Sequence, residues 1–285
     1  MRHFDKGIIM AEDTDKPRRV VTVRRNLTLG AMAAAMAGSA VHAAAVTPMT
    51  ADTPGWHQKA AGEGEGEGEG EGEGGGAALD PDVRFLRDLS FIEGHLRAGL
   101  ALYRAGDLTA AKTHMGHPIK EKYDAVAERV QAEGRGELKT QIIALADAAE
   151  AGKDAAEVAA QFDLVKVMIG EMRGASAPKK QIMGLIALTR IAGDEYTVAT
   201  EGGSISNLHE YQDSWGFMQV VADEVDALTA SGDAAVAGVA DKLEGYVAAT
   251  DAVFGDLQGQ GDFTLDSGVL YGAAARMELA AARLK

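Results

Sequence analysis

What most restricts the fold of this chain is the placement of its helix breakers. From Asp80 to Lys285 the sequence is rich in Ala, Leu, Val, Glu and Lys, and glycine-marked breaks cut it into segments of helical length. The breaks fall at Gly106-Asp107, Gly116-His117-Pro118, Gly134-Arg135-Gly136, Gly152, Gly174 to Pro178, Gly202-Gly203, Ser231-Gly232-Asp233 and Gly259 to Asp262. Only Pro81, Pro118 and Pro178 remain in this stretch, each where a helix should begin and a missing N–H is no loss. Apolar residues recur at the i, i+3, i+4, i+7 spacing, and period-two alternation is absent. The reading is all-α: an antiparallel multi-helix bundle of about eight or nine helices over 80–285. The expected helices are 81–105, 107–115, 118–133, 136–151, 154–173, 178–200, 206–230, 233–257 and 264–283.

Within this frame one passage stands out. Phe91-Ile-Glu-Gly-His95 leads through Gly99 and Tyr103 to Gly106-Asp107, and then through Ala110 and Ala111 to His114-Met-Gly-His117-Pro118. A helical hairpin turning at Gly106 brings His95 and His117, each eleven residues from the turn, to the same level. His114 lies one helical turn from His117, and Gly99 opposite Ala110 and Ala111 permits close helix approach. Gly116 is expected to end the second helix in a left-handed conformation, with Pro118 starting the third and His117 just outside it. Glu121 follows one turn beyond His117. Glu93 falls on another face. Imidazole is the commonest metal-ligating side chain. A site of two or three histidines completed by Glu121, Met115 or Tyr123 would take iron, copper or zinc. The competing reading makes His95 a core histidine and His114 and His117 turn caps.

The N-terminal 79 residues read differently. Arg24-Arg25 closes a basic region, Leu27 to Val41 is apolar, and Val41-His42-Ala43 is a small-residue cleavage site. Residues 1–43 are therefore expected to be an export signal, too short in its apolar run for a comfortable membrane span. The secretory route is favoured over the loose twin-arginine match at Arg24-Arg25-Asn-Leu. In residues 44–79, Glu alternates with Gly between Gly62 and Gly76, which predicts a disordered acidic tether.

Of 28 basic and 43 acidic residues, the expected signal removes seven and four, leaving a formal charge near −18. Such a balance disfavours nucleic acid and anionic lipid and suits cations. The absence of cysteine excludes disulfides, thiolate zinc, iron–sulfur clusters and covalent c-type haem. Four of the five histidines beyond residue 43 are His95, His114, His117 and His209, with His57 in the tether.

Three resemblances accompany these residues. Gly99, Tyr103, Gly106-Asp107 and Ala111 resemble a tetratricopeptide hairpin over 96–117, but one copy does not make a solenoid. The passage Asp194 to Phe217, through Tyr196, Ala199, Gly203, Ile205, Asn207, Glu210 and Tyr211, resembles the extracytoplasmic helical region that precedes some bacterial high-affinity iron permeases. That resemblance implies an extracytoplasmic helical protein linked to iron or a related redox metal. The permease's membrane helices and Arg-Glu-x-x-Glu motif are missing, so transport is not implied. The pattern His95 to Tyr123 also resembles a family of exported helical proteins, which bears on the fold. Asn207 and Glu210 further read as a capping box that starts a long helix. His209 has no part in capping and could complete the histidine site.

The leading expectation is an exported, periplasmic or secreted, metal-binding protein, for iron or copper. It would deliver, store or sense the metal beside a membrane transporter or redox partner, with His95, His114, His117, Glu121 and His209 as metal ligands. The alternatives are a helical adaptor with structural histidines and a non-covalent haem protein. An enzyme is not expected: there is no nucleophile elbow, His-Glu-x-x-His helix, phosphate loop or dinucleotide fingerprint. No paired Glu and Glu-x-x-His pattern of a di-iron bundle is present either.

Overall fold

Asp80 opens the first helix: its carboxylate accepts the backbone N–H groups of Asp82 and Val83, and Pro81 supplies the preset first turn. The computed structural model describes residues 79–284, which belong to one unit. The expected signal peptide and almost all of the expected tether lie outside the described residues. Within them the chain forms nine α-helices and no strand. These are α1 Pro81–Ala105, α2 Leu108–Glu121, α3 Tyr123–Ala132, α4 Glu137–Glu150, α5 Ala155–Gly174, α6 Pro178–Ala199, α7 Leu208–Thr229, α8 Ala234–Ala248 and α9 Gly268–Ala281. None of them is long and apolar enough to cross a membrane.

The α1–α2 turn forms where the glycine break predicts it. Gly106 takes φ 88°, its N–H and that of Asp107 close on the carbonyls of Tyr103 and Leu102, and Asp107 caps α2 through Ala110 N–H. The next expected break does not occur. Gly116 has no positive φ, α2 runs on through Pro118 to Glu121, and the chain bends instead at Lys122. An interior proline costs about 3 kcal/mol. Here Ala111, His114, Met115, His117 and Pro118 are all buried, and that burial outweighs the lost hydrogen bond. His114 and His117 therefore share one helix, with Glu121 one turn further along it.

A second departure lies at 249–267. The helix expected to reach 257 stops at Ala248, passes through a 3₁₀ turn, Ala249–Val253, and becomes irregular. Two buried tyrosines fix this course: the Tyr196 hydroxyl donates to Val253 O at 2.6 Å, and the Tyr211 hydroxyl accepts Gly255 N–H at 2.7 Å. Satisfying those groups competes with continuing the helix.

Helix α1 packs against α2, α3, α5, α6 and α7, which explains why it is buried on almost every side. One hydrophobic core gathers α1 to α5, and the other gathers α6 to α9 with Phe91. Where α1 crosses α7, two glycines face each other. A Cβ on Gly216 would lie 2.4 Å from the Gly94 carbonyl oxygen, and one on Gly94 would strike the Phe217 ring. Only glycine allows that approach, and it brings the α7 residues one turn before Gly216 against His95. The buried Glu93 lies apart from the histidines and faces cations: Arg97 Nε donates to it at 2.9 Å, and it pairs with buried Arg173, whose Nη1 donates to Ser90 Oγ at 3.0 Å. Burial alone would raise the Glu93 carboxyl, but Arg173 and Arg97 hold it below its ordinary value.

Candidate metal centre

Three helices bring the histidines to one place. His95 comes from the middle of α1, His114 and His117 from the face of α2 turned toward α1, and His209 from the first turn of α7. The His95 ring centroid lies 6.3 Å from that of His114 and 6.1 Å from that of His117, and His114 and His117 are 6.5 Å apart. His209 stacks on His114 at 4.2 Å with an interplanar angle of 2°, and lies 4.6 Å from His117. Gly99 makes the α1–α2 approach feasible, since a Cβ there would lie 2.7 Å from Met115 Cγ and 3.1 Å from Ala111 O.

At the centre sits a residue the sequence reading did not single out. Asp213, 1% exposed, places Oδ1 2.6 Å from His95 Nδ1 and 2.8 Å from His114 Nδ1, and Oδ2 3.2 Å from His209 Nδ1. Burial would raise its carboxyl, yet His95 and then His114, as neighbouring positive charge and as donors, hold it well below the carboxylate range. A buried carboxylate ringed by imidazoles gathers oxygen and nitrogen donors that suit a cation in place of the imidazole protons. The signal lay in the sequence: Asp213 is four residues from His209, hence on the same helical face. What concealed it was the glycine crossing at Gly94 and Gly216, a tertiary contact.

Gln212 settles the orientation of one ring. Its amide N–H donates to Leu257 O at 2.8 Å, which leaves Oε1 to accept from His114 Nε2 at 2.8 Å. The nitrogen that His114 turns toward Asp213 is Nδ1, which carries a proton while it bonds the carboxylate and offers its lone pair to an ion that takes the place of that proton. An outer hydrogen bond to the non-ligating N–H is the usual support of a metal-binding histidine. His95 Nε2 is buried and makes no hydrogen bond. It lies among the rings of Phe91, Phe217, His114 and His117. His117 is displaced downward in its titration. Burial first, then the nearby His209 and His95, push its pKa down to about 4, so it is neutral and able to ligate at neutral pH.

The remaining candidates separate. Glu121 stays near, with Oε1 3.2 Å from His117 Nδ1. Met115 and Tyr123 belong to the α1–α5 core instead, Met115 packing toward Gly99. Asn207 caps α7 as expected, accepting the N–H groups of His209 and Glu210. The box is incomplete, because Glu210 takes the Asn207 side-chain amide while the Asn207 backbone N–H bonds Ala199 O. Several residues of the permease-like passage thus have structural work: Tyr196 and Tyr211 anchor the 253–255 turn, Gly203 takes φ 84°, and Asn207 starts the helix that carries His209 and Asp213.

Comparisons with protein-family models, with curated proteins and with solved structures found no match for this chain.

Proposed function

We propose that this protein binds a transition-metal ion at the cluster of His95, His114, His117, His209 and Asp213, with Glu121 and Glu210 at its edge. The observation that carries the reading is the set His95, His114 and Asp213, whose ligating atoms lie within 4.8 Å of one another in a buried site. Three residues from α1, α2 and α7 converge there through two glycine-dependent helix contacts, and a structural histidine needs only one partner. The donor set is imidazole with carboxylate and no sulfur, which suits iron, copper and zinc. An ion fits the tight convergence better than haem. A resident iron or copper agrees with the likeness of Tyr196 to Tyr211 to the extracytoplasmic region of iron permeases. On that basis we assign the protein a role outside the cytoplasm, delivering, storing or sensing the metal beside a membrane or redox partner.

The test is equilibrium titration of the full chain with Fe(II), Cu(II) and Zn(II) against a competing chelator. Wild type should bind at least one of the three, and His95→Ala should bind it at least roughly tenfold more weakly with an unchanged helical circular dichroism spectrum. Equal binding by wild type and His95→Ala, or no binding by either, refutes the assignment and leaves the helical adaptor.

A further inference from the structure

The donor atoms do not gather about one point. They form two groups, His95 with His114 and Asp213, and His209 with Glu210 and Asp213, and only Asp213 belongs to both. The carboxylate is divided between them: Oδ1 faces the first pair of imidazoles at 2.6 and 2.8 Å, while Oδ2 faces His209 Nδ1 at 3.2 Å. Resting on the metal-binding reading above, we infer that the centre takes two metal ions, bridged by Asp213.

The spacing of the second group supports a separate ion. Ligands at about 2.0–2.1 Å from a tetrahedral ion stand roughly 3.3 Å from one another. His209 Nδ1 lies 3.2 Å from Asp213 Oδ2 and 3.8 Å from Glu210 Oε2, close to that edge without rearrangement. In the first group the atoms stand at hydrogen-bonding distance, so a small outward rotation of the His95 and His114 rings admits an ion in place of a proton. One further observation supports this: Asp213 Oδ2 is buried and accepts no hydrogen bond, with His209 Nδ1 as its ion-pair neighbour at 3.2 Å. His117, with its ring 4.6 Å from His209 and 6.1 Å from His95, stands beside both groups and can add a donor to either. A carboxylate joining two ions through its two oxygens holds them about 3.5–4 Å apart, the separation of two-metal sites in general.

The experiment is a count of ions. The full chain is loaded with Fe(II) under anaerobic conditions and, separately, with Cu(II), passed through a chelating resin, and measured by elemental analysis against protein from amino-acid quantification. Asp213→Asn gives the background held by the Glu-Gly segment. Wild type should exceed that background by two ions per chain, and the paired change His209→Ala with Glu210→Gln should lower the excess to one. If Asp213→Asn does not fold, His95→Ala with His114→Ala replaces it, and each paired variant should lose one ion relative to wild type. An excess of one ion in wild type, abolished by either paired variant, overturns the two-metal inference and leaves the single-ion reading standing. No excess at all overturns both.

Discussion

Replacing Gly216 with Ala separates the architecture of the site from its chemistry, because the added methyl touches no donor atom. Its Cβ would lie 2.4 Å from the Gly94 carbonyl oxygen and 3.1 Å from Ala98 Cβ. The first of these is backbone and cannot rotate away, so α1 and α7 must part by roughly 1 Å to restore van der Waals contact, a form of overpacking that costs about 1–3 kcal/mol. Ala is the better helix former by about 1 kcal/mol, which offsets part of this. The net cost is then about 0–2 kcal/mol, and since 1 kcal/mol moves Tm by about 2–4 °C in a domain of this size, the metal-free variant should melt up to roughly 8 °C below wild type. Because His95 is on α1 and Asp213 on α7, the same displacement should weaken metal binding by roughly tenfold or more. Gly238→Ala on the exposed face of α8, where a Cβ meets nothing within 4 Å, is the control and should stabilise by about 0.5–1 kcal/mol. Calorimetry on the three proteins decides it. A Gly216→Ala protein that melts at or above wild type, with unchanged metal affinity, would refute the argument that this crossing builds the site.

Acid should destabilise the metal-free protein through His117. Its pKa is about 4 folded against 6.5 in the unfolded chain, so between those values the unfolded state binds the extra proton. The contribution is intact above pH 6.5 and falls as pH drops toward 4, by at most about 3 kcal/mol, and His117→Gln should flatten that part of the stability curve in urea titrations. Away from the histidines, Arg173→Met on α5 should cost about 3 kcal/mol or more by leaving buried Glu93 on α1 with one of its two cations. The double change with Glu93→Leu should recover much of that loss in the same assay, whereas additive losses would count against the pairing. Gly106→Ala should destabilise by about 1 kcal/mol, since an L side chain is strained at φ 88°, and thermal melts would show it.

How much could be read beforehand follows from whether the cause was local. The helices between glycine breaks were legible because a left-handed turn residue, as at Gly106, and an N-cap, as at Asp107 or Asn207, act within a few residues. The convergence of His95, His114 and His117 was legible for the same reason, since a hairpin fixes which positions face each other. Pro118 misled because its helix-starting preference is a weak local bias, outweighed by the burial of His114, Met115 and His117 on one side of α2. The irregular 254–267 segment was hidden because Tyr196 and Tyr211, far away in sequence, determine it. Asp213 was missed although it stands at i+4 from His209, because only the Gly94–Gly216 crossing shows that this face meets His95.

The most direct test of the central claim is X-ray absorption at the metal edge on the loaded full chain. The account predicts a first shell of nitrogen and oxygen near 2.0–2.1 Å with the multiple scattering of several imidazoles, reduced in His95→Ala. A shell of oxygen alone, unchanged in that variant, would mean that the histidine cluster is not where the metal binds.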